Sequence, residues 1–122
     1  MPDLEAITLV VTSVGTEQQA VEISEELIDR RLATCINIVP CLRSIYRWKG
    51  KVCEDTEYLL VVKTPRSFFD RVAEAIRELH SYELPEILAV PVEAAEQAFH
   101  EWILRMVEPA AEDEGTGAST DD

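Results

Sequence analysis

The chain has 122 residues, 47% of them hydrophobic, with 11 basic against 24 acidic side chains and a formal charge of −13. That length suits one domain around one core. The acidity argues against nucleic acid or an anionic membrane as partner, because affinity for phosphates depends on neutralising them with Lys and Arg.

The opening Met1-Pro2-Asp3-Leu4-Glu5 lacks the basic and apolar regions of a secretory signal. No apolar run approaches the roughly 20 residues of a membrane span, so a cytoplasmic location is expected. Residues 4–14 are rich in β-branched side chains, with Ile7, Leu9 and Val11 on one face and Ala6, Thr8 and Val10 on the other, and predict a strand covered on both sides. Thr16-Glu17-Gln18-Gln19 has the form of a capping box, and Ala20, Ile23 and Leu27 follow at helical spacing, predicting a helix over 17–31. Residues 34–48 and 51–63 read as two strands joined by a Lys49-Gly50 turn. These arms are long for a globular strand. Pro40 cannot donate to a ladder, which predicts a bulge or bend between Val39 and Leu42.

Thr64-Pro65 reads as a helix start, with Thr64 as N-cap and Pro65 at the first helical position. Phe69, Val72, Ile76 and Leu79 then form a stripe that ends near His80. After a loop at 81–85, residues 86–92 read as a strand, and Ala95, Phe99, Trp102, Ile103 and Met106 as the inner stripe of a last helix closed by Pro109. Residues 1–107 thus form a single domain, and 108–122, with six acids and no base, read as a disordered tail. The order β-α-β-β-α-β followed by a helix is the ferredoxin-like α+β sandwich with a long hairpin added. Both faces of its first strand are apolar and the hairpin outreaches one domain, so a second copy of the chain is expected to cover the sheet.

Two segments carry a specific resemblance. Ala33-Thr34-Cys35-Ile36-Asn37-Ile38-Val39-Pro40, running on to Ser44-Ile45-Tyr46-Arg47-Trp48-Lys49-Gly50-Lys51, is the first, and His80-Ser81-Tyr82-Glu83-Leu84-Pro85-Glu86-Ile87 is the second. With Lys63-Thr64 and Trp102, they resemble the CutA family of divalent-cation tolerance proteins. The resemblance implies a compact, non-enzymatic homotrimer in which extended hairpins pair across subunits, binding or responding to copper or another divalent cation. Some family members hold copper with a cysteine near the end of the first strand and two adjacent histidines before the tyrosine. Here Thr12 and Leu79 stand at two of those three positions, leaving His80.

His80 is the first candidate metal ligand, since imidazole is the commonest protein ligand of late transition metals. At a helix end it also reads as a cap whose ring satisfies terminal carbonyls. Cys35, Cys41 and Cys53 form no CxxC pair and no even-numbered framework, which suits free thiols in a reducing compartment. Cys35 reads as a buried small hydrophobe. Cys41 beside Pro40 and Cys53 near the turn are candidate soft ligands, and Glu86 is a candidate hard one.

Glu57, Lys63, Tyr82 and Trp48 are expected to line a cleft between subunits, with Trp48 as an interface anchor. Glu57 alternatively pairs with Arg43, Arg47 or Lys63. Glu96 and His100, one helical turn apart, have a spacing that suits zinc or simply a solvated face. Tyr46 and Trp48 with their basic neighbours resemble a nucleic-acid platform only superficially in so acidic a chain. No nucleophile elbow or HExxH is present, so an enzyme is not expected. The alternative reading is a trimeric signalling or interaction scaffold resembling PII-type regulators, with a small ligand in the cleft between subunits.

Overall fold

The computed structural model describes residues 4–107. The acidic segment 108–122, with Pro109, lies outside the described residues. The elements are β1 (Ile7–Val14), α1 (Glu17–Asp29), β2 (Cys35–Trp48), β3 (Lys51–Pro65), a 3₁₀ turn (Arg66–Phe68), α2 (Phe69–Leu79), β4 (Leu88–Pro91) and α3 (Gln97–Arg105). They build an α+β domain around one four-stranded antiparallel sheet of order β2-β3-β1-β4. No helix among the described residues is long and apolar enough to cross a membrane.

Period-two alternation in β1 sends Val10 and Val14 into the core, where they meet Leu60 and Val62 of β3. The helices close this side with Ile23 and Leu27 of α1 and Val72 and Ile76 of α2, all essentially inaccessible. Truncating Leu27 to Ala here would cost about 2–5 kcal/mol through lost burial and the cavity left behind. The opposite sheet face is also apolar. Leu9 and Val11 of β1 pair with Val90 and Leu88 of β4, both exposed.

The ends of α1 show how local chemistry sets its limits. Thr16 Oγ1 accepts from the Gln19 N–H at 3.1 Å, as a capping box requires. Gln19 does not return the bond to Thr16; its side chain reaches the Leu79 carbonyl and Ser81 instead. At the other end Arg31 takes φ 61°, with Leu32 N–H bonded to Leu27 O and Arg31 N–H to Ile28 O. This is a Schellman motif in which Arg stands where Gly is favoured.

Two sequence expectations are corrected, and one pair with two open readings is located. Thr64-Pro65 does not start a helix: β3 continues to Pro65 because Ile7 and Thr8 pair with Pro65 and Thr64, and the Thr64 hydroxyl donates to Leu32 O at 2.7 Å in the buried interior. The helix begins only after the 3₁₀ turn. β4 is shorter than the expected 86–92, because its pairing with β1 spans only Leu88 to Pro91. Glu96 is not a zinc partner of His100 here. It caps α3 by accepting from Phe99 N–H at 2.8 Å, while His100 Nε2 bonds the Glu5 carbonyl at 2.7 Å.

A candidate cation groove beneath the hairpin

The groove starts with Pro40. Val39 pairs with Leu59 and Leu42 with Glu57, so Pro40 and Cys41 together oppose Tyr58 alone, and Cys41 takes φ 66°. This is the expected bulge, an extra residue inserted where Pro cannot donate. At the far end Trp48 pairs with Lys51 across Lys49-Gly50, whose φ values of 52° and 81° fit a two-residue type I′ turn. Between bulge and turn, Ser44 opposes Asp55 and Tyr46 opposes Cys53, so Leu42, Ser44, Tyr46 and Trp48 share one face with Glu57 and Asp55.

The other wall is the chain leaving α2. His80 ends the helix in extended conformation and is buried. Its Nε2 lies 2.8 Å from the Ser13 carbonyl, so it is the donor there, and Nδ1 accepts from the Tyr82 N–H at 3.1 Å. The imidazole thereby ties β1 to the loop and fixes its direction. The Tyr82 ring packs against His80 with centroids 4.6 Å apart, and its hydroxyl donates to Glu57 Oε2 at 2.6 Å. Gly15 leaves room for that hydroxyl: a Cβ at this position would lie 3.1 Å from Tyr82 Oη.

The two walls enclose an open groove of about 1040 Å³. Its charged lining is acidic, with Asp55, Glu57, Glu83 and Glu86, and its rings are Tyr46, Trp48 and Tyr82. Glu57 is 5% exposed, and the described ion pairs are Arg30 with Glu26 and Glu78, and Arg43 with Glu54. Glu57 therefore has no cationic partner among the described residues. Burial, then the bond to Glu57, pushes the Tyr82 phenol well above its ordinary range. The bond to Asp55, reinforced by burial, pushes Tyr46 up to about 12. Both phenols stay protonated near neutral pH and donate to carboxylates.

Of the residues singled out from the sequence, Trp48, Glu57, Tyr82 and Glu86 come together around this groove. Lys63 does not line it: its ammonium contacts Asn37 Oδ1 and lies 3.6 Å from Cys35 Sγ, six residues along β3 from Glu57, roughly 20 Å away. Glu57 pairs with Tyr82 rather than with Arg43, Arg47 or Lys63, since Arg43 is taken by Glu54 at 2.6 Å. Cys35 is half-buried rather than buried. Cys41 is exposed at the bulge, opposite Tyr58, and Cys53 lies five residues further along β3, roughly 17 Å off. Thiols so placed cannot share an ion within one chain. Asp55 escaped the sequence reading, although its two-residue offset from Glu57 on a strand was the available signal.

Both nitrogens of His80 are committed to backbone groups, so it offers no free lone pair to a metal in this arrangement. Among the described residues no three His, Cys, Asp or Glu side chains are grouped to hold one metal ion. The sequence model of the CutA1 divalent ion tolerance protein matches residues 8–106. The chain belongs to the CutA1 family. It is 43% identical over 95 residues to the divalent-cation tolerance protein CutA of Thermus thermophilus, covering 78% of this chain and 92% of that one. Human Protein CutA is 33% identical over 107 residues, and there the match spans 88% of this chain but only 60% of the relative. The crystal structure of CutA1 from Oryza sativa superimposes with a TM-score of 0.85 at 31% identity, covering 88% of this chain and 98% of that one. The family is named for cation tolerance and not for an enzymatic activity.

Proposed function

We propose that this chain is a cytoplasmic, homotrimeric divalent-cation tolerance protein of ferredoxin-like topology, and that it takes up a hard divalent cation through the carboxylates of the groove. The observation that carries this reading is Glu57, a buried carboxylate with no cationic partner among the described residues, in a groove that Asp55 and Glu86 also line and that has no basic residue in its lining. Oxygen donors suit calcium, magnesium or manganese. Copper favours imidazole and thiolate, and here His80 is bonded through both nitrogens and the cysteines stand apart. The residues therefore fit a hard cation better than copper.

The apolar outer sheet face, with Leu88 55% and Val90 44% exposed, favours assembly with further copies. Such an assembly brings a second chain to the groove and supplies the donors that one chain lacks. Three free cysteines fit a reducing compartment.

The test is a titration of the reduced protein with calcium, manganese and copper under a competing chelator, with oligomer mass from light scattering. Saturable calcium or manganese uptake by a trimer, weakened in Glu57→Gln and Glu86→Gln, is expected. Copper uptake abolished by His80→Ala or by Cys→Ser, or a monomer that binds no metal, overturns the proposal.

A further inference from the structure

The geometry points to an acid-sensitive latch in the loop that follows α2: a proton taken up by His80 releases Tyr82, and with it the tie between that loop and the hairpin. This device goes beyond cation uptake by the groove and does not depend on it.

The first observation is the pair of partners that His80 holds. Nε2 donates to the Ser13 carbonyl at 2.8 Å, and Nδ1 accepts from the Tyr82 N–H at 3.1 Å. A main-chain carbonyl only accepts and a main-chain N–H only donates, so neither partner can exchange roles with the ring. The neutral imidazole with its proton on Nε2 fits both. An imidazolium carries N–H on both nitrogens, and its Nδ1–H would point at the N–H of Tyr82. The second proton and the closed loop exclude one another.

The second is enclosure. His80 is 8% exposed, and no carboxylate among the described residues is bonded to its ring, so a charge placed there is desolvated and uncompensated. β1 has no ionisable side chain over Ile7–Val14, and α1 meets this end with Gln19, which bonds the Leu79 carbonyl and Ser81. On α2, Glu78 is engaged by Arg30 and Arg77 is exposed, as is Glu83 in the loop. β3 brings Tyr58, opposite Val14, and Glu57, which lies beyond the Tyr82 hydroxyl. Further copies of the chain can reach little of a ring so enclosed.

The third is what the ring controls. Tyr82 is held at three points, two of them by His80: its N–H bonds Nδ1, its ring packs at 4.6 Å between centroids, and its hydroxyl bonds Glu57 at 2.6 Å. The rest of the loop is lightly held. Ser81, Glu83 and Leu84 are exposed, and Ser81 adds a bond to Gln19. A segment with so few buried contacts opens locally at low cost once a bond at its base is broken.

The direction follows from counting protons. The released loop accepts one proton that the closed loop refuses, so the closed form is favoured at higher pH and gives way as pH falls. Imidazoles take up that proton between about pH 8 and 5, a range in which other side chains do not ordinarily change charge. The chain has two histidines, and the other, His100, bonds the Glu5 carbonyl near the opposite end of β1.

Amide exchange of the full-length protein in EDTA, corrected for the intrinsic effect of pH, tests this between about pH 7.5 and 5, with the His80 ring titration followed by NMR. Protection at Tyr82 should fall about tenfold or more as the His80 ring gains its proton, while Val10 in the core stays protected. His80→Asn puts an oxygen acceptor near the place of Nδ1 and takes up no proton in this range, so it should remove the pH dependence, and His100→Gln should leave it. If His80→Asn fails to fold, the wild-type protein still decides: Tyr82 protection that stays constant through the His80 titration overturns the latch. So does a fall that vanishes in Glu57→Gln while His80 still titrates, which assigns it to the carboxylate, or one seen only when light scattering shows the assembly dissociating. With metal chelated throughout, failure of the latch and failure of the cation proposal are read separately.

Discussion

Tyr82 and Glu57 are joined by a 2.6 Å hydrogen bond that closes the loop after α2 onto the hairpin. One partner sits on β3 and the other 25 residues away in sequence, so the bond is tertiary and orients the groove rather than either element. Tyr82→Phe leaves Glu57 Oε2 buried without its donor. A loss of about 1–3 kcal/mol in urea unfolding is expected. Glu57→Gln made in the Tyr82→Phe background should cost less than in the wild type, and strict additivity in that double-mutant cycle would show that the contact carries no energy.

The same bond gives the protein an alkaline limit. Tyr82 and Tyr46 both titrate higher in the folded chain than the ordinary tyrosine value of 10.0. Between the unfolded and folded values the native state holds more protons than the unfolded state, so stability falls as pH rises. The contribution is complete below about pH 10 and disappears as pH climbs through the folded values, about 12 for Tyr46 and higher for Tyr82. Thermal melts from pH 8 to 12 should show this fall, and Tyr46→Phe with Tyr82→Phe should flatten it. An unchanged slope in the double variant would assign the alkaline loss elsewhere.

His80 is predicted to act as a structural tie. Replacing it with Ala removes the donor to Ser13 O and the acceptor for Tyr82 N–H, two backbone groups near the buried end of β1. A loss of roughly 2–4 kcal/mol is expected, with faster amide exchange at Tyr82. Metal stoichiometry, measured below the melting temperature of the variant, should not change.

Thr12 Oγ1 is fully buried and has no hydrogen-bond partner among the described residues. Thr12→Val keeps the branched shape on β1 and discards the orphaned hydroxyl. Stability should rise by about 1 kcal/mol, read as a higher urea midpoint at unchanged slope.

Lys49 holds φ 52° in the hairpin turn, a conformation that costs a side chain with a Cβ about 1 kcal/mol. Asn tolerates it best, and Asn-Gly is the favoured type I′ pair. Lys49→Asn should stabilise the protein by roughly 0.5–1 kcal/mol in the same assay.

The elements governed by local rules could be read before any coordinates. Thr16 caps α1, Pro40 brings a bulge, and Lys49-Gly50 turns the hairpin, because each depends on backbone chemistry within a few residues. Thr64-Pro65 misled because a cap signal is local, whereas the pairing of Thr64 with Thr8 is set by a strand 56 positions away. The groove was half visible. Glu57, Tyr82 and Trp48 were expected at a cleft and Glu86 as a hard ligand, whereas His80 read equally as a metal ligand or a helix cap, and no pattern in sequence announces the Ser13 carbonyl that its ring bonds. Lys63, expected at a cleft between subunits, lies six residues along β3 from the groove of its own chain, an offset that shows only once the register is known.

The bulge at Pro40 and Cys41 also governs which changes of length the arm can bear. The base of the hairpin, where Val39 meets Leu59, and its tip, where Trp48 meets Lys51, are one residue out of step, and the bulge absorbs the difference. Deleting Cys41 brings the two halves into step and leaves Tyr46 opposite Cys53 and Trp48 opposite Lys51, still on the side of Asp55 and Glu57. Deleting one residue between Ser44 and Trp48 instead displaces part of the arm and turns ring-bearing positions away from the acids. The spare residue therefore gives the hairpin one point where it can shorten without losing its groove, and divides the arm into a base that can vary and a tip whose spacing is fixed.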